Sequence, residues 1–127
     1  MNEQPGIQII ISTGPEDTRR ATLGFAAAAA AGACGMPVTV FLVLDGARWA
    51  LLLEGTEVCV AGFPPISELF EAILAAGGRI EVCPTCLDGA CGIPSQGRAD
   101  SMLRPGVNFA GLTAVAVRMA QVPTVTF

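Results

Sequence analysis

The segment "IEVCPTCLDGACGIP", residues 80–94, holds three of the chain's five cysteines: Cys83, Cys86 and Cys91. Sulfur at this spacing suits four kinds of chemistry: a disulfide, a metal site, a dithiol–disulfide redox pair, or a thiol that carries another sulfur atom. A Cys–His nucleophilic pair and a serine triad are excluded because the chain has no histidine. These three cysteines are therefore our candidate catalytic residues.

The C-x2-C-x4-C pattern supplies three thiolates, whereas zinc and iron–sulfur clusters usually take four ligands. Asp88 is a poor fourth ligand, and Cys34 or Cys59 would have to approach from elsewhere. We predict no metal and no cofactor. The "CPTC" pair is similar to that of glutaredoxin-like proteins, but only 44 residues follow Cys83, too few for that fold. Redox chemistry on another fold stays open.

The composition indicates one domain, residues 1–127, with little polar surface. Hydrophobic residues make up 52% of the chain and charged residues 14%, against about 25% charged in typical soluble domains. We therefore expect an apolar surface to meet another subunit. The net charge of −4 argues against a nucleic-acid partner. Five cysteines, an odd number, in a chain of this length favour free thiols in the cytoplasm.

An apolar run, Ala21–Ala33, follows Arg19 and Arg20 and imitates an export signal. It is too short to cross a bilayer, which takes about 20 residues. The β-branched segment that precedes it is typical of a core strand, which cleavage would discard. We predict no membrane partner.

Strand and helix patterns alternate along the chain. "IQIIIS" is apolar on both faces, as in a buried parallel strand, and the alanine-rich helix after it has Thr13 as its expected cap. This order predicts a parallel sheet with helices on both faces. We predict strands at 7–12, 37–44, 79–83, 106–111 and 122–127, and helices at 15–33, 66–76 and 111–121.

Apolar stripes predict how the later helices pack. Residues of the 66–76 helix fall at i, i+3, i+4, i+7 and i+8, and the last helix has a similar stripe. Cys34, Cys59 and Trp49 are expected to be packing residues. The two stripes are Ile66, Leu69, Phe70, Ile73 and Leu74, and then Leu112, Val115, Ala116 and Met119.

Cys83 ends the third predicted strand. Ligands of open α/β sheets bind outside the carboxyl ends of the strands, so we expect its sulfur at an open edge that another molecule can reach. If a helix begins near Cys86, the positive end of its dipole stabilises a thiolate there.

Three segments together resemble the DsrE/DsrF-like family. They are "GPEDTRRATLGFAAAAAAGACGMPVTVFLVLDGARWAL", "IEVCPTC" and "VNFAGLTAVAVRMAQVPTVTF". The resemblance implies a three-layer α/β/α sandwich with a five-stranded parallel sheet, and assembly as a homo-oligomer, a trimer or hexamer. It also implies sulfur relay, since relatives such as the TusBCD proteins pass sulfur as a cysteine persulfide. Cys83 matches the sulfur-bearing cysteine, and the additional Cys86 and Cys91 depart from the usual single cysteine.

Three functions stay open at this point. The leading one is sulfur transfer, in which Cys83 accepts sulfane sulfur from a donor protein and passes it to an acceptor protein. The second is a thiol–disulfide or redox-sensing module that uses Cys83 and Cys86. The third is a non-catalytic oligomer that binds a partner and uses its cysteines only for packing.

Overall fold

Five short strands lie side by side in one sheet and all run in the same direction. The computed structural model describes residues 6–51, 58–91 and 102–127. The sheet order is β4-β3-β2-β1-β5. This confirms the predicted five-stranded parallel sheet. The strands are β1 (Ile7–Ile11), β2 (Val38–Leu42), β3 (Arg79–Val82), β4 (Val107–Phe109) and β5 (Thr124–Thr126).

Four α-helices and two 3-10 turns connect the strands in the described residues. The predicted helices are present, with an additional short one directly after β3. The helices are α1 (Thr18–Ala33), α2 (Ile66–Ala75), α3 (Pro84–Cys91) and α4 (Leu112–Met119), and the 3-10 turns span Pro15–Asp17 and Leu44–Ala50. Among these helices, none has both the length and the apolar character that crossing a bilayer requires.

The first helix begins later than its sequence predicts. Pro15–Asp17 forms a 3-10 turn, and the side chain of Asp17 accepts a hydrogen bond from the backbone N–H of Arg20 at 3.1 Å. Asp17 is therefore the N-cap of α1 rather than Thr13, because its carboxylate satisfies one of the free N–H groups of the first turn.

The main core lies on one face of the sheet, beneath α1 and α2. Alternate residues of the central strands point to this face. Phe25 of α1 and Phe70 of α2 meet over them, with ring centroids 5.9 Å apart. The predicted stripe of α2 is buried here except for Leu74, which is partly buried, and Trp49 joins the same core. Its other large buried members are Ile9, Ile11, Val40, Leu42, Ile80, Val82 and Leu87.

The opposite face of the sheet carries a much smaller core beneath α4. Its buried members are Ile10, Phe41, Cys83 and Val115. Helices therefore cover both faces, and the predicted three-layer α/β/α arrangement is confirmed, but the second layer is thin. Among the described helices, the eight-residue α4 is the one that packs on this side.

The prediction that the apolar stripe of α4 packs into the core is mostly wrong. Val115 is buried, whereas Leu112 is 63% exposed and Met119 is 52% exposed, and Ala116 is exposed as well. The spacing is helical, but one short helix on a broad sheet face has too few neighbours to cover its whole apolar side.

The 3-10 turn that follows β2 packs closely against the carboxyl end of β1. A Cβ atom at Gly46 would lie 2.0 Å from the carbonyl oxygen of Ile11, so only glycine fits there. The indole Nε1 of Trp49, on the same 3-10 turn, donates a hydrogen bond to the carbonyl of Thr13 at 2.7 Å. This contact fixes the carboxyl ends of β1 and β2 relative to each other.

We predict that Gly46→Ala destabilises the protein by about 3 kcal/mol or more, because backbone atoms rather than a flexible side chain would have to move. Denaturant unfolding of the purified variant measures this change. The matched control is Gly89→Ala in α3, where an added Cβ meets nothing within 4 Å and where alanine favours the helix by about 0.5 kcal/mol. Equal stability of the two variants would contradict the packing described here.

Candidate functional site

Cys83 occupies the junction between β3 and α3. Its N–H donates to the carbonyl of Leu42 on β2 at 3.0 Å, which continues the sheet by one residue. Its own carbonyl accepts from the N–H groups of Cys86 at 3.1 Å and Leu87 at 3.3 Å, which starts the helix. One residue thus ends a strand at the carboxyl edge of the sheet and precedes the first turn of a helix. The structure places Cys83 where the sequence predicts it.

The thiol of Cys83 is buried rather than open. Cys83 is 6% exposed and packs with Ile10 of β1, Phe41 of β2 and Val115 of α4. The predicted edge is correct, but the expectation of an open edge is wrong for the single chain. Val115 of α4 belongs to the same buried cluster as Cys83, so α4 is part of what shields the thiol.

The other two candidate cysteines belong to α3. Cys86 lies in the first turn of the helix, is partly buried, and contacts the apolar cores on both faces of the sheet. Cys91 is the last residue of the helix, and its side chain lies outside the described part of the structure. Cys83 and Cys86 are thus the pair that the described residues bring together, within one helical turn.

Cys34 and Cys59 are exposed, so the prediction that they are packing residues is wrong. Cys34 follows the last residue of α1, and the sulfur of Cys59 lies 3.8 Å from the carbonyl oxygen of Phe63. Neither belongs to the cluster around Cys83. In the described residues, no group of three or more cysteine, aspartate or glutamate side chains is arranged to hold a metal ion.

A buried polar network lies beside Cys83 on the same face of the sheet. The carboxylate of Glu81 on β3 forms an ion pair with Arg118 of α4 through one oxygen, and with Arg79 at 3.0 Å through the other. Arg118 also donates from Nε to the side-chain oxygen of Gln8 on β1 at 2.7 Å. The network therefore ties α4 to two strands of the sheet.

Gln8 completes the network from the first strand. It is fully buried, and its amide nitrogen donates to the backbone carbonyl of Val115 at 3.3 Å and to the hydroxyl of Thr124 at 3.2 Å. Both of its polar ends thus have partners, as a buried amide requires.

Sequence reasoning missed the network, although a signal was present. Gln8 and Glu81 are single polar residues inside apolar strands, and a buried acid needs a cationic partner. The chain has seven arginines and no lysine. Pairing Glu81 with Arg118 in particular requires the three-dimensional path of α4, which sequence spacing does not give.

A cleft of about 560 Å³ lies elsewhere, between the start of α1 and the end of β5. Arg19, Arg20, Phe63 and Phe127 contribute to its lining, and none of the described cysteines does. Arg19 and Arg20 are exposed on α1. The cleft is therefore separate from the sulfur cluster.

Comparison with known proteins agrees with this architecture. The model of the DsrE/DsrF-like family matches residues 6–127. The chain belongs to this family. No curated protein sequence matches it.

Two solved structures share the fold of this DsrE/DsrF-like protein. The ychN protein from E. coli is 20% identical with a TM-score of 0.76, over 98% of this chain and 100% of that one. BT1422 from Bacteroides thetaiotaomicron, a conserved protein of unknown function, is 15% identical with a TM-score of 0.61, over 97% and 95% of the two chains. At these identities the similarity establishes the fold.

We predict that, in the native DsrE/DsrF-like protein, N-ethylmaleimide modifies Cys34 and Cys59 at least about tenfold faster than Cys83, because burial limits access to the thiolate. Peptide mass spectrometry of timed samples measures the rate at each cysteine. In denaturant the rates should converge. Rapid modification of Cys83 in the folded protein would contradict the described burial.

Proposed function

We propose that this protein carries sulfane sulfur as a persulfide on Cys83. The observation that carries the proposal is the position of Cys83, at the carboxyl end of a central strand and directly before a helix, in a DsrE/DsrF-like fold. Two further cysteines follow in that helix. The family is generally related to sulfur relay.

The transfer step is an exchange between sulfur atoms that needs no external oxidant. The Cys83 thiolate attacks the outer sulfur of a donor persulfide, the sulfur–sulfur bond of the donor breaks, and the donor leaves as a thiolate. The new bond joins Cys83 to the sulfane sulfur. An acceptor thiolate then attacks that outer sulfur, and Cys83 is regenerated as the leaving thiolate.

Cys86 and Cys91 supply a second route from the same persulfide. Cys86 lies one helical turn from Cys83, so its thiolate can attack the inner sulfur, form a Cys83–Cys86 disulfide and release hydrosulfide. Two thiols are oxidised to a disulfide and one sulfane sulfur is reduced to sulfide, so the electrons balance. Cys91, the last residue of the same helix, is the third cysteine that we include in the proposed site. The dithiol–disulfide function is our second candidate because Cys83 and Cys86 share this turn.

We also propose that the protein is a homo-oligomer, a trimer or hexamer, whose interface covers α4. The sequence of α4 contains one charged residue, Arg118, and its side chain points inward with 19% exposure. The outer side presents apolar residues without charge, including Leu112, Val117 and Met119. A helix that is apolar on both sides is typical of a buried position.

Donor and acceptor in this proposal are other proteins that bear thiols or persulfides. Free thiols persist in a reducing compartment such as the cytoplasm, which fits a chain whose described cysteines form no disulfide.

We predict that incubation with a sulfane-sulfur donor such as polysulfide adds about 32 Da to the protein, one sulfur atom, on Cys83. Intact mass spectrometry without reductant measures the adduct, and Cys83→Ser should abolish it. The matched control is Cys34→Ser, an exposed cysteine outside the cluster, which should keep the Cys83 adduct.

Failure of the wild-type protein to gain sulfur would overturn the carrier function. A reversible loss of about 2 Da, for one Cys83–Cys86 disulfide, without sulfur uptake would support the redox module instead. The non-catalytic oligomer would be favoured by two results together. The wild type would show neither the gain of about 32 Da nor the loss of about 2 Da, and a Cys83/Cys86/Cys91 triple serine variant would bind its partner as the wild type does. Elemental analysis of the purified protein tests the metal alternative.

We predict that Val117→Asp on the outer side of α4 converts the oligomer to the monomer, because a buried charge without a partner is costly. Sedimentation velocity measures the change. The control is Leu23→Asp, which places the same charge at an exposed apolar position on α1. A wild-type protein that sediments as a monomer would contradict the assembly.

A further inference from the structure

The position of α4 depends on few contacts. It is an eight-residue helix, and Val115 is its one buried residue among those described. Isolated helices shorter than about 12 residues are marginal in water. The hydrogen bonds and the ion pair of Arg118 with Gln8 and Glu81 are therefore a large share of what holds this helix on the sheet.

The same contacts determine what lies over Cys83. Arg118 and Val115 are three positions apart on α4, so they share one side of the helix. Glu81 and Cys83 are two positions apart along β3, so they share one face of the sheet at a separation of about 7 Å. Attachment of Arg118 to Glu81 therefore helps to hold Val115 in the buried cluster that includes the thiol.

We propose that Arg118 is a positioning residue that controls access to Cys83. Through Glu81 and Gln8 it holds α4 in the closed arrangement, in which Val115 completes the buried cluster around Cys83. The thiol becomes reachable when α4 detaches locally in a protomer whose proposed subunit interface over α4 is open, while the sheet stays folded. This inference concerns access to the site of the proposed function, but its test measures alkylation and does not depend on sulfur uptake.

The surrounding charges make the proposal testable in a folded protein. Arg79 pairs with the second oxygen of Glu81 at 3.0 Å, so the carboxylate keeps a cationic partner when Arg118 is removed. Gln8 also bonds to the backbone of α4 at Val115, independently of Arg118. The attachment can therefore be weakened in two separate ways.

The experiment measures iodoacetamide alkylation of Cys83 and Cys86 in the same native molecules, with fragment ions assigning each label. We expect Arg118→Leu to raise the Cys83 rate about tenfold or more, as for local opening of one element. The Cys86 rate should rise less, because Cys86 is already partly exposed and also packs on the other face of the sheet. Arg118→Lys, which keeps a cation opposite Glu81, should give an intermediate rate. Arg19→Leu, at an exposed position on α1, is the matched control and should change neither rate.

Amide hydrogen exchange separates a positioning role from general destabilisation. In Arg118→Leu, amide hydrogens of α4 should exchange faster than in the wild type, whereas those of β2 should still exchange slowly. If Arg118→Leu does not fold, Gln8→Met removes the bonds from β1 to α4 and leaves the Glu81 pair, with an expected rise of about threefold at Cys83.

Three results would overturn the proposal. The first is an unchanged Cys83 rate in a folded Arg118→Leu or Gln8→Met variant. The second is an equal rise at Cys83, Cys86 and the β2 amides. The third is a wild-type Cys83 that reacts as fast as Cys86. Sulfur uptake by the wild type decides the carrier function separately.

Discussion

The handedness of the connections between parallel strands determines the layout around Cys83. From β1 to β4 the chain moves one way across the sheet, and right-handed crossovers place α1 and α2 on a single face. The connection from β4 back to β5 moves the opposite way, so the same rule places α4 on the other face. One short helix thus becomes the cover of the side to which the Cys83 thiol points.

A thin second layer explains why a polar network lies in this part of the protein. Apolar burial beneath α4 is small, so the helix needs directional contacts to take one position on the sheet. Glu81, Arg118 and Gln8 supply them, and each buried polar group of the network has a partner. Hydrogen bonds with an ionised partner are stronger than those between neutral groups, and these bonds determine which side of α4 faces the sheet.

The fold was largely predictable because its signals are local. The β-branched runs, the alanine-rich helix and the stripe of α2 each determine an element by themselves, and their order implies a parallel sheet. The position of Cys83 followed from the same reasoning. The burial of Cys83 could not be predicted, because it depends on where α4 crosses the sheet. The polar network could not be predicted either, because Gln8 and Arg118 are 110 positions apart in the sequence. The exposure of Leu112 and Met119 has the same origin, since a periodic stripe shows which side is apolar and not what covers it.

The helix that packs on the Cys83 side of the sheet, α4, comes after β1, β2, β3 and β4 in the sequence. During synthesis from the amino end, β1, β2, β3 and Cys83 leave the ribosome before α4 and β5. For that interval β1 keeps a free edge and the second face of the sheet stays bare. A nascent chain would therefore present this sulfur to cellular oxidants and to prospective partners before the finished protein shields it.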